Sequence, residues 1–387
     1  MRHSILKVTG LLIIGCTFSV NLIAQSSINV VTTAVPFLRI SPDARAGGMG
    51  DVGIATLPDA NSSFWNLSKI PFASKKTEIA LTYTPWLKDL GLSDVYLASL
   101  AAYHKLDDEQ ALGASVRFFS LGNIQFTDFA GNPLQENRPR EFSIDFGYTR
   151  KLNTKLSMGV ALRYINSSLA NGSIGGVNYK AGNAIAGDIS LYHSGVDEKG
   201  AGLGWGVVLS NLGTKISYTN DAANKDFIPA NLGLGVAYTT VFDETSKLTF
   251  GLDMNKLLVP AAPLPVDPND PNADAKNAAL LQEYRSMGVL QSWFKSFGDP
   301  DGLFKTLQFS IGAEYAYNEQ FFLRAGYFYE DKTKGNRKYF SVGAGLKYNV
   351  IGINFSYLVP SGSGITRNPL SNTLRFGLTF DLGEKAK

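Results

Sequence analysis

From about Glu78 onwards, apolar side chains recur at every second position over segments of roughly ten residues, with small or polar side chains between them. That period-two pattern marks strands with one face toward a greasy medium and the other toward a polar interior. In 140–151, Phe142, Ile144, Phe146 and Tyr148 alternate with Ser143, Asp145, Gly147 and Thr149. In 155–168, Leu156, Met158, Val160, Leu162 and Tyr164 alternate with Ser157, Gly159, Ala161 and Arg163. Leu248, Phe250, Leu252 and Met254 stand against Thr249, Gly251, Asp253 and Asn255, and Leu374, Phe376, Leu378 and Phe380 against Arg375, Gly377, Thr379 and Asp381.

Fourteen such segments are present, near 78–84, 95–105, 110–120, 140–151, 155–168, 184–194, 204–211, 230–242, 247–255, 306–317, 320–329, 339–349, 351–358 and 374–382. The even count predicts an all-β, 14-stranded antiparallel transmembrane β-barrel. The connections support it, because short links (106–109, 152–154, 243–246, 318–319, Val350 and the slightly longer 195–203) alternate with long ones. The long ones are 121–139, 169–183, 212–229, 256–305 and 359–373, with 85–94 and 330–338 of middle length. Outer-membrane barrels have short periplasmic turns and longer extracellular loops. A periplasmic start then puts every long loop outside and both chain termini in the periplasm. A soluble β-sandwich with one wet face also alternates, but it explains neither the loop asymmetry nor the large aromatics on one face of nearly every strand.

Arg117, Arg163, Arg324, Lys347 and Arg375 share the inward register with Asp145, Asp188, Asp253 and Glu314. Opposite charges can pair across such an interior, so a plugged or narrow lumen is expected. Tyr103, Tyr148, Tyr164, Tyr238, Tyr315, Tyr327 and Tyr348 lie near strand ends, where a ring with a polar tip suits an interfacial belt.

Composition narrows the class further. With 387 residues, 44% apolar, 18% charged and 39 glycines, a coiled coil or a disordered chain is excluded. Residues 1–24 read as a signal peptide: Arg2 and Lys7 form a basic start, Val8 to Ile23 a largely apolar stretch, and Ala24 precedes Gln25. A lipoprotein signal competes with it, because Ile13-Ile14-Gly15-Cys16 resembles a lipobox. Cleavage after Ala24 removes Cys16, the only cysteine, and with it any disulfide or thiolate metal site. It also lowers the 36 basic residues to 34 against 33 acidic ones, and a net charge of +1 argues against a nucleic-acid binder. After residue 24 no stretch approaches the roughly 20 apolar residues of a spanning helix. The expected organisation is a signal peptide at 1–24, an N-terminal periplasmic, plug-like segment at 25–77 and a barrel at 78–387.

Little in the chain points to bond chemistry. Gly48-Met49-Gly50-Asp51-Val52-Gly53 matches GxGxxG, yet no strand precedes it and no βαβ unit follows, so a glycine-rich bend or short helix is expected. His104 and His193 remain after cleavage, both near strand ends and without an adjacent carboxylate or serine cluster. No catalytic, cofactor or metal site is therefore expected, and the chain reads as a non-enzyme.

The connection 256–305 differs from the others. Pro260, Pro263, Pro265, Pro268 and Pro271 precede a helical pattern from about Ala275 to Phe297. Leu280, Tyr284, Met287 and Phe294 fall close together on its wheel, with Leu290 and Trp293 beside them. That stripe either folds over the barrel mouth as a lid or enters a partner protein, and both can hold. Leu280, Tyr284, Met287, Trp293 and Phe294 are the candidate partner-binding residues.

The stretch Ala44-Arg45-Ala46-Gly47-Gly48-Met49-Gly50, followed by Asp59-Ala60-Asn61-Ser62-Ser63 and Asn66 to Ile70, resembles the N-terminal region of FadL-like outer-membrane transport proteins. The family has an Asn-Pro-Ala element there, which is degenerate here because Leu67 follows Asn66. The longer run from Ala34 to Asp51 resembles the start of the PorV family of type IX secretion components. That resemblance implies a 14-stranded barrel in the cell outer membrane, in contact with its lipid, that docks beside a giant translocon barrel. It further implies binding of secreted cargo with a C-terminal signal domain and delivery of it to a surface sortase or attachment complex. The alternative is a FadL-like carrier of hydrophobic small molecules, which requires an apolar pocket inside the barrel next to the N-terminal segment.

Overall fold

The structure, a computed structural model, describes residues 29–385 apart from 89–90, 129, 175, 222–224 and 360–371. The signal segment 1–24, with Cys16, lies outside the described residues.

Fourteen antiparallel strands close into a barrel. In chain order they are β1 (Lys75–Pro85), β2 (Val95–Lys105), β3 (Gln110–Leu121), β4 (Arg140–Lys151), β5 (Leu156–Ser168), β6 (Gly182–Val196) and β7 (Gly202–Gly213). The second half comprises β8 (Asn231–Val241), β9 (Ser246–Leu257), β10 (Leu307–Tyr317), β11 (Phe321–Glu330), β12 (Lys338–Tyr348), β13 (Ile351–Val359) and β14 (Leu374–Lys385). Each strand pairs with its sequence neighbours, and β14 returns to β1 through partners such as Ile79 with Phe380 and Tyr83 with Phe376. Every expected segment is a strand, with ends shifted by a few residues. All backbone groups of a closed barrel pair between strands, as a hydrocarbon environment demands. Two of the long connections carry small hairpins of their own, 124–127 with 133–137 and 172–174 with 177–179. Among the described residues no helix is long and apolar enough to cross a membrane.

The alternation sets the two faces. On β5, Val160, Leu162 and Tyr164 are exposed on the outer wall, while Ser157, Arg163 and Ser167 are buried inside. The inner face is not uniformly polar. Toward the long-loop end the inward positions Val95, Leu97, Phe119, Ile165 and Ala184 form an apolar cluster with Val35, Phe37 and Leu38 of the N-terminal segment. Tyr103, expected in the belt, is another inward residue: it is buried and its hydroxyl donates to the Lys75 carbonyl. The β2 register that turns Leu100 outward turns Tyr103 inward.

Residues 29–74 run inside the barrel. The segment contains 3-10 turns at Pro36–Arg39 and Leu67–Phe72 and two short helices, α1 (Ala44–Gly48) and α2 (Ser62–Trp65). Asp43 caps α1 by accepting the Arg45 backbone N–H at 2.8 Å. The GxGxxG run forms the last turn of α1 and a bend, with Gly50 at φ +71° and Asp51 at φ +64°. The Asn29 N–H bonds to the Thr333 carbonyl and the Ala34 N–H to the Phe227 carbonyl, both in long-side connections, and the segment enters β1 at the short-turn end. Asn29 sits at the long-loop end and Lys385 at the short-turn end. The described part of the N-terminal segment lies in the lumen, where Val35 and Phe37 pack against Leu97, Phe119 and Ile165 of the wall.

The single helix expected over Ala275–Phe297 is two helices, α3 (Ala273–Ser286) and α4 (Val289–Lys295). The break falls at Met287 and Gly288, whose ψ angles of 132° and 151° are extended. The break turns Met287 into a buried cluster with Phe227 and Val259, a contact a straight helix would give up.

Candidate functional site: a plugged lumen and the loop at its mouth

The plug touches the inner wall from β3 round to β14. Leu67 packs at Gly113 and Gly147, Ser68 at Gly159, Ile54 at Gly206 and Gly235, Val52 at Gly251, and Ala44 at Gly377. A methyl group on Gly312 or Gly326 would overlap the backbone of Met49. Those glycines are the small members of the inward register, and they let the plug backbone approach the wall.

Charged contacts seat the plug at defined heights. Arg45 of α1 donates through Nε and Nη2 to the two carboxylate oxygens of Glu314, at 3.0 and 2.8 Å, and through Nη1 to Asp59 at 2.8 Å and the Leu57 carbonyl at 3.0 Å. Arg324 shares Glu314 from the wall at 2.6 Å. Asp51 accepts from Arg375 and from the Tyr339 hydroxyl, each at 2.6 Å. Asp253 accepts the Gly53 and Ile54 N–H groups at 2.7 and 2.9 Å. Lys69, fully buried, donates to the Gly53 carbonyl at 2.6 Å and to Thr56 at 3.2 Å, and burial pushes its amine down to about 8. Buried pairs of this kind add little net stability over apolar packing, yet removing one partner strands a charge at a cost of about 3–5 kcal/mol. They therefore fix the position of the plug.

Of the inward charges expected to pair across the interior, Asp145 pairs with both Arg117 and Arg163, Arg163 with Asp188, Arg324 with Glu314 and Lys347 with Asp381. Arg375 and Asp253 bind the plug instead. Arg45, Asp51, Asp59 and Lys69 went unrecognised as lumen residues, although the Ala44–Gly50 run was the signal that could have found them. The cavities left beside the plug are small. One of about 110 Å³ lies toward the long-loop end beside Arg39 and Arg117, and one of about 310 Å³ toward the short turns beside Glu78, Glu314 and Lys347. The two histidines among the described residues lie apart, His104 beside Thr77 at 2.7 Å and His193 stacked on Trp205.

The loop carrying α3 and α4 is fastened at the mouth. Tyr284 packs edge-on against Phe227 and donates to the Pro260 carbonyl at 3.2 Å. Lys256 donates to the Ser296 carbonyl at 2.9 Å, and Lys334 of the β11–β12 connection holds Asp299 at 2.8 Å and Asp301 at 2.9 Å. Leu280, Tyr284 and Met287 line one pocket of about 310 Å³ with Asn29 and Pro260. The structure does not bring Phe294 to them. It is 78% exposed, with Leu290 at 64% and Phe304 at 82%, and Trp293 is half-buried between the two groups. Phe297 and Leu303 are exposed as well, and large apolar side chains in a loop were the sequence signal for Leu303 and Phe304.

The model of a family described as "Type IX secretion system protein PorV" matches residues 23–265, which stops short of α3. None of the curated proteins matches the chain in sequence. The TodX deltaS2S3 mutant monoaromatic hydrocarbon channel is similar in structure, with a TM-score of 0.52 at 12% identity over 88% of this chain and 98% of that one. The Pseudomonas putida toluene transporter TodX has a TM-score of 0.51 at 11% identity over 88% and 98% of the two chains. The Ralstonia pickettii toluene transporter TbuX reaches 0.51 at 11% over 88% and 97%. Likenesses at such identities concern the fold, a barrel of the kind read from the sequence. With the family match covering more than half of the sequence, the chain belongs to the PorV family and is an outer-membrane β-barrel component of the type IX secretion system.

Proposed function

We propose that the protein docks on the secretion pore, receives cargo bearing a C-terminal signal domain and carries it to the surface attachment complex, with the α3–α4 loop as contact surface. One observation carries this reading: Leu290, Phe294 and Phe304 are solvent-exposed on a loop that is itself tied to the mouth of a plugged barrel. Three large apolar side chains on one anchored loop suit a protein interface, where aromatic anchors supply most of the binding energy. The long loops, and the first described residue with them, lie outside the cell on this reading, and the short turns face the periplasm. Leu280, Tyr284 and Met287 then shape the loop, while Trp293 and Phe294 meet the partner. No bond chemistry is assigned to the chain itself.

The carrier reading needs an apolar pocket beside the N-terminal segment. The cavities there are bordered by Arg39 and Arg117 on one side and by Glu78, Glu314 and Lys347 on the other, which favours the secretion role. The test is a gentle detergent pulldown of tagged protein from outer membranes, identified by mass spectrometry, for the native chain and for Phe294→Ser combined with Leu290→Ser. Co-purification of a giant barrel and signal-bearing cargo, lost in the double variant, is expected. Unchanged recovery and unchanged secretion by the variant would remove the loop from the proposal, and a lone barrel holding a hydrophobic ligand would replace it with the carrier.

A further inference from the structure

We infer that the groove between α3 and the 212–229 connection binds an extended, acidic polypeptide segment of a partner protein. The groove encloses about 830 Å³, within the range of roughly 300–1,000 Å³ usual for ligand sites. Its biological role rests on the secretion reading above, whereas the binding itself does not.

The two sides of α3 do different things. Leu280 and Tyr284 turn toward the Pro260 pocket and hold the loop at the mouth. Ala278, Leu281, Gln282 and Arg285 follow the i, i+3, i+4, i+7 spacing of one helical face and line the groove instead. Leu281 is 39% exposed there, and Val289 of α4 extends the apolar surface. At the break between the helices, Gly288 also lines the groove with an extended ψ of 151°. A Cβ on Gly288 would meet nothing within 4 Å, so an incoming main chain can lie close against the backbone. Close backbone approach with side-chain pockets beside it is how extended peptides are recognised.

Charge gives the sign of the occupant. Lys215, Lys225 and Arg285 line the groove, and among the described residues no carboxylate does. The acidic groups of the surrounding elements can be named. Asp226 acts on Lys215 from the same connection, and Asp221 lies farther along it. Glu283 is on the other side of α3, where it lines the Pro260 pocket 3.9 Å from Lys295, and Asp274 stands in the first turn at the far end of the helix. Setting both Asp221 and Asp226 against the three cations still leaves positive charge at the groove. Lys215 is held in place, since its Nζ donates to the Arg285 carbonyl at 2.7 Å and lies 4.0 Å from the centre of the Phe227 ring. A phosphate headgroup would use the cations but leave Leu281 and the bare Gly288 backbone unmatched. Acidic side chains spaced between aliphatic ones on an extended chain match all of these features.

The test uses the protein purified from outer membranes in detergent and a fluorescein-labelled hexapeptide alternating glutamate and valine, with a lysine–valine peptide as control, read by fluorescence anisotropy. Saturable binding of the glutamate peptide is expected, weakening as salt rises from about 50 to about 500 mM, and about 10-fold weaker for Lys225→Glu combined with Leu281→Ser. Both substituted residues are exposed, and heat-modifiable gel mobility checks that the variant is folded. Should it fail to fold, Lys225→Glu alone replaces it under the same criterion. Equal binding of the lysine peptide, equal affinity in the variant, or no peptide binding overturns the proposal. Lys225-dependent binding of lipopolysaccharide without peptide binding gives the groove to a lipid headgroup and overturns it equally. In the outer-membrane pulldown the groove variant should keep the giant barrel and lose cargo, whereas a lone native barrel there overturns the secretion reading and leaves peptide binding standing.

Discussion

Arg45 grips Glu314 with two hydrogen bonds, one to each carboxylate oxygen, although the two residues are 269 positions apart in sequence. The contact joins the first helix of the plug to the tenth strand of the wall. Arg324 approaches the same carboxylate from the strand next door, so one wall anion is held between a wall cation and a plug cation.

Removing the plug cation should therefore do more than remove a contact. Arg45→Ala leaves Asp59 without its ion pair and is expected to cost about 3 kcal/mol. The Arg45→Ala, Glu314→Gln double variant should lose clearly less than the sum of the two single losses. Urea unfolding of the refolded barrel in lipid vesicles measures all three, and strict additivity would mean that the pair is uncoupled.

Close approach at Gly326 should govern plug seating rather than barrel formation. Gly326→Val places a branched side chain against the Met49 backbone, while β11 stays well suited to a β-branched residue. The barrel is expected to keep its heat-modifiable mobility on gels, while conductance in planar bilayers rises above that of the native protein. A native-like conductance would show that the plug tolerates the added volume.

Lys334 should hold down the helical loop. Its side chain is 4% exposed and its amine bonds both oxygens of Asp299, and Lys334→Met strands Asp299 and Asp301 together. Charge-assisted bonds are worth about 1.5–3 kcal/mol, so limited proteolysis between 258 and 306 is expected to accelerate about 10- to 100-fold. Equal cleavage rates would assign the anchoring to Tyr284 and Met287 instead.

Lys69 should give the plug a distinctive pH response. Burial lowers its amine from 10.5 to about 8, so the folded state binds this proton more weakly than the unfolded state does. The cost of the buried charge is then present in full below pH 8 and vanishes as the pH climbs toward 10.5. Relative to Lys69→Met, the native protein should gain about 3 kcal/mol over that window. Paired unfolding curves at each pH cancel the other titrating groups, and a flat difference would place the amine in a more solvated setting than the fold indicates.

The strands were readable because a membrane barrel repeats one constraint at every second residue. Ile144, Phe146 and Tyr148 must meet lipid, Ser143, Asp145 and Gly147 must not, and no tertiary information is needed to separate the two sets. The loop asymmetry was readable for a similar reason, since connection lengths are written directly in the chain. Tyr103 marks the limit of this logic. An aromatic residue near a strand end fits a belt, but only its register against Leu100 on β2 decides that it points inward.

The loop at the mouth was legible in part. Helical periodicity placed Leu280, Tyr284 and Met287 on one face, and they do pack together, but it could not foresee the break at Gly288 that separates Phe294 from them. A wheel assumes one straight axis. The contact between Met287 and Phe227, on a connection far away in sequence, is worth more than unbroken helix geometry.

By itself, then, the sequence determined a 14-stranded barrel, its two faces and its long and short ends, because each of these follows from local alternation and spacing. Only the tertiary structure decided that residues 29–74 thread the lumen, that Arg45 meets Glu314, that Asp51 meets Arg375 and that Asp253 binds plug backbone. Those relationships join positions separated by tens to hundreds of residues, and closure of the barrel is what brings them within hydrogen-bond distance.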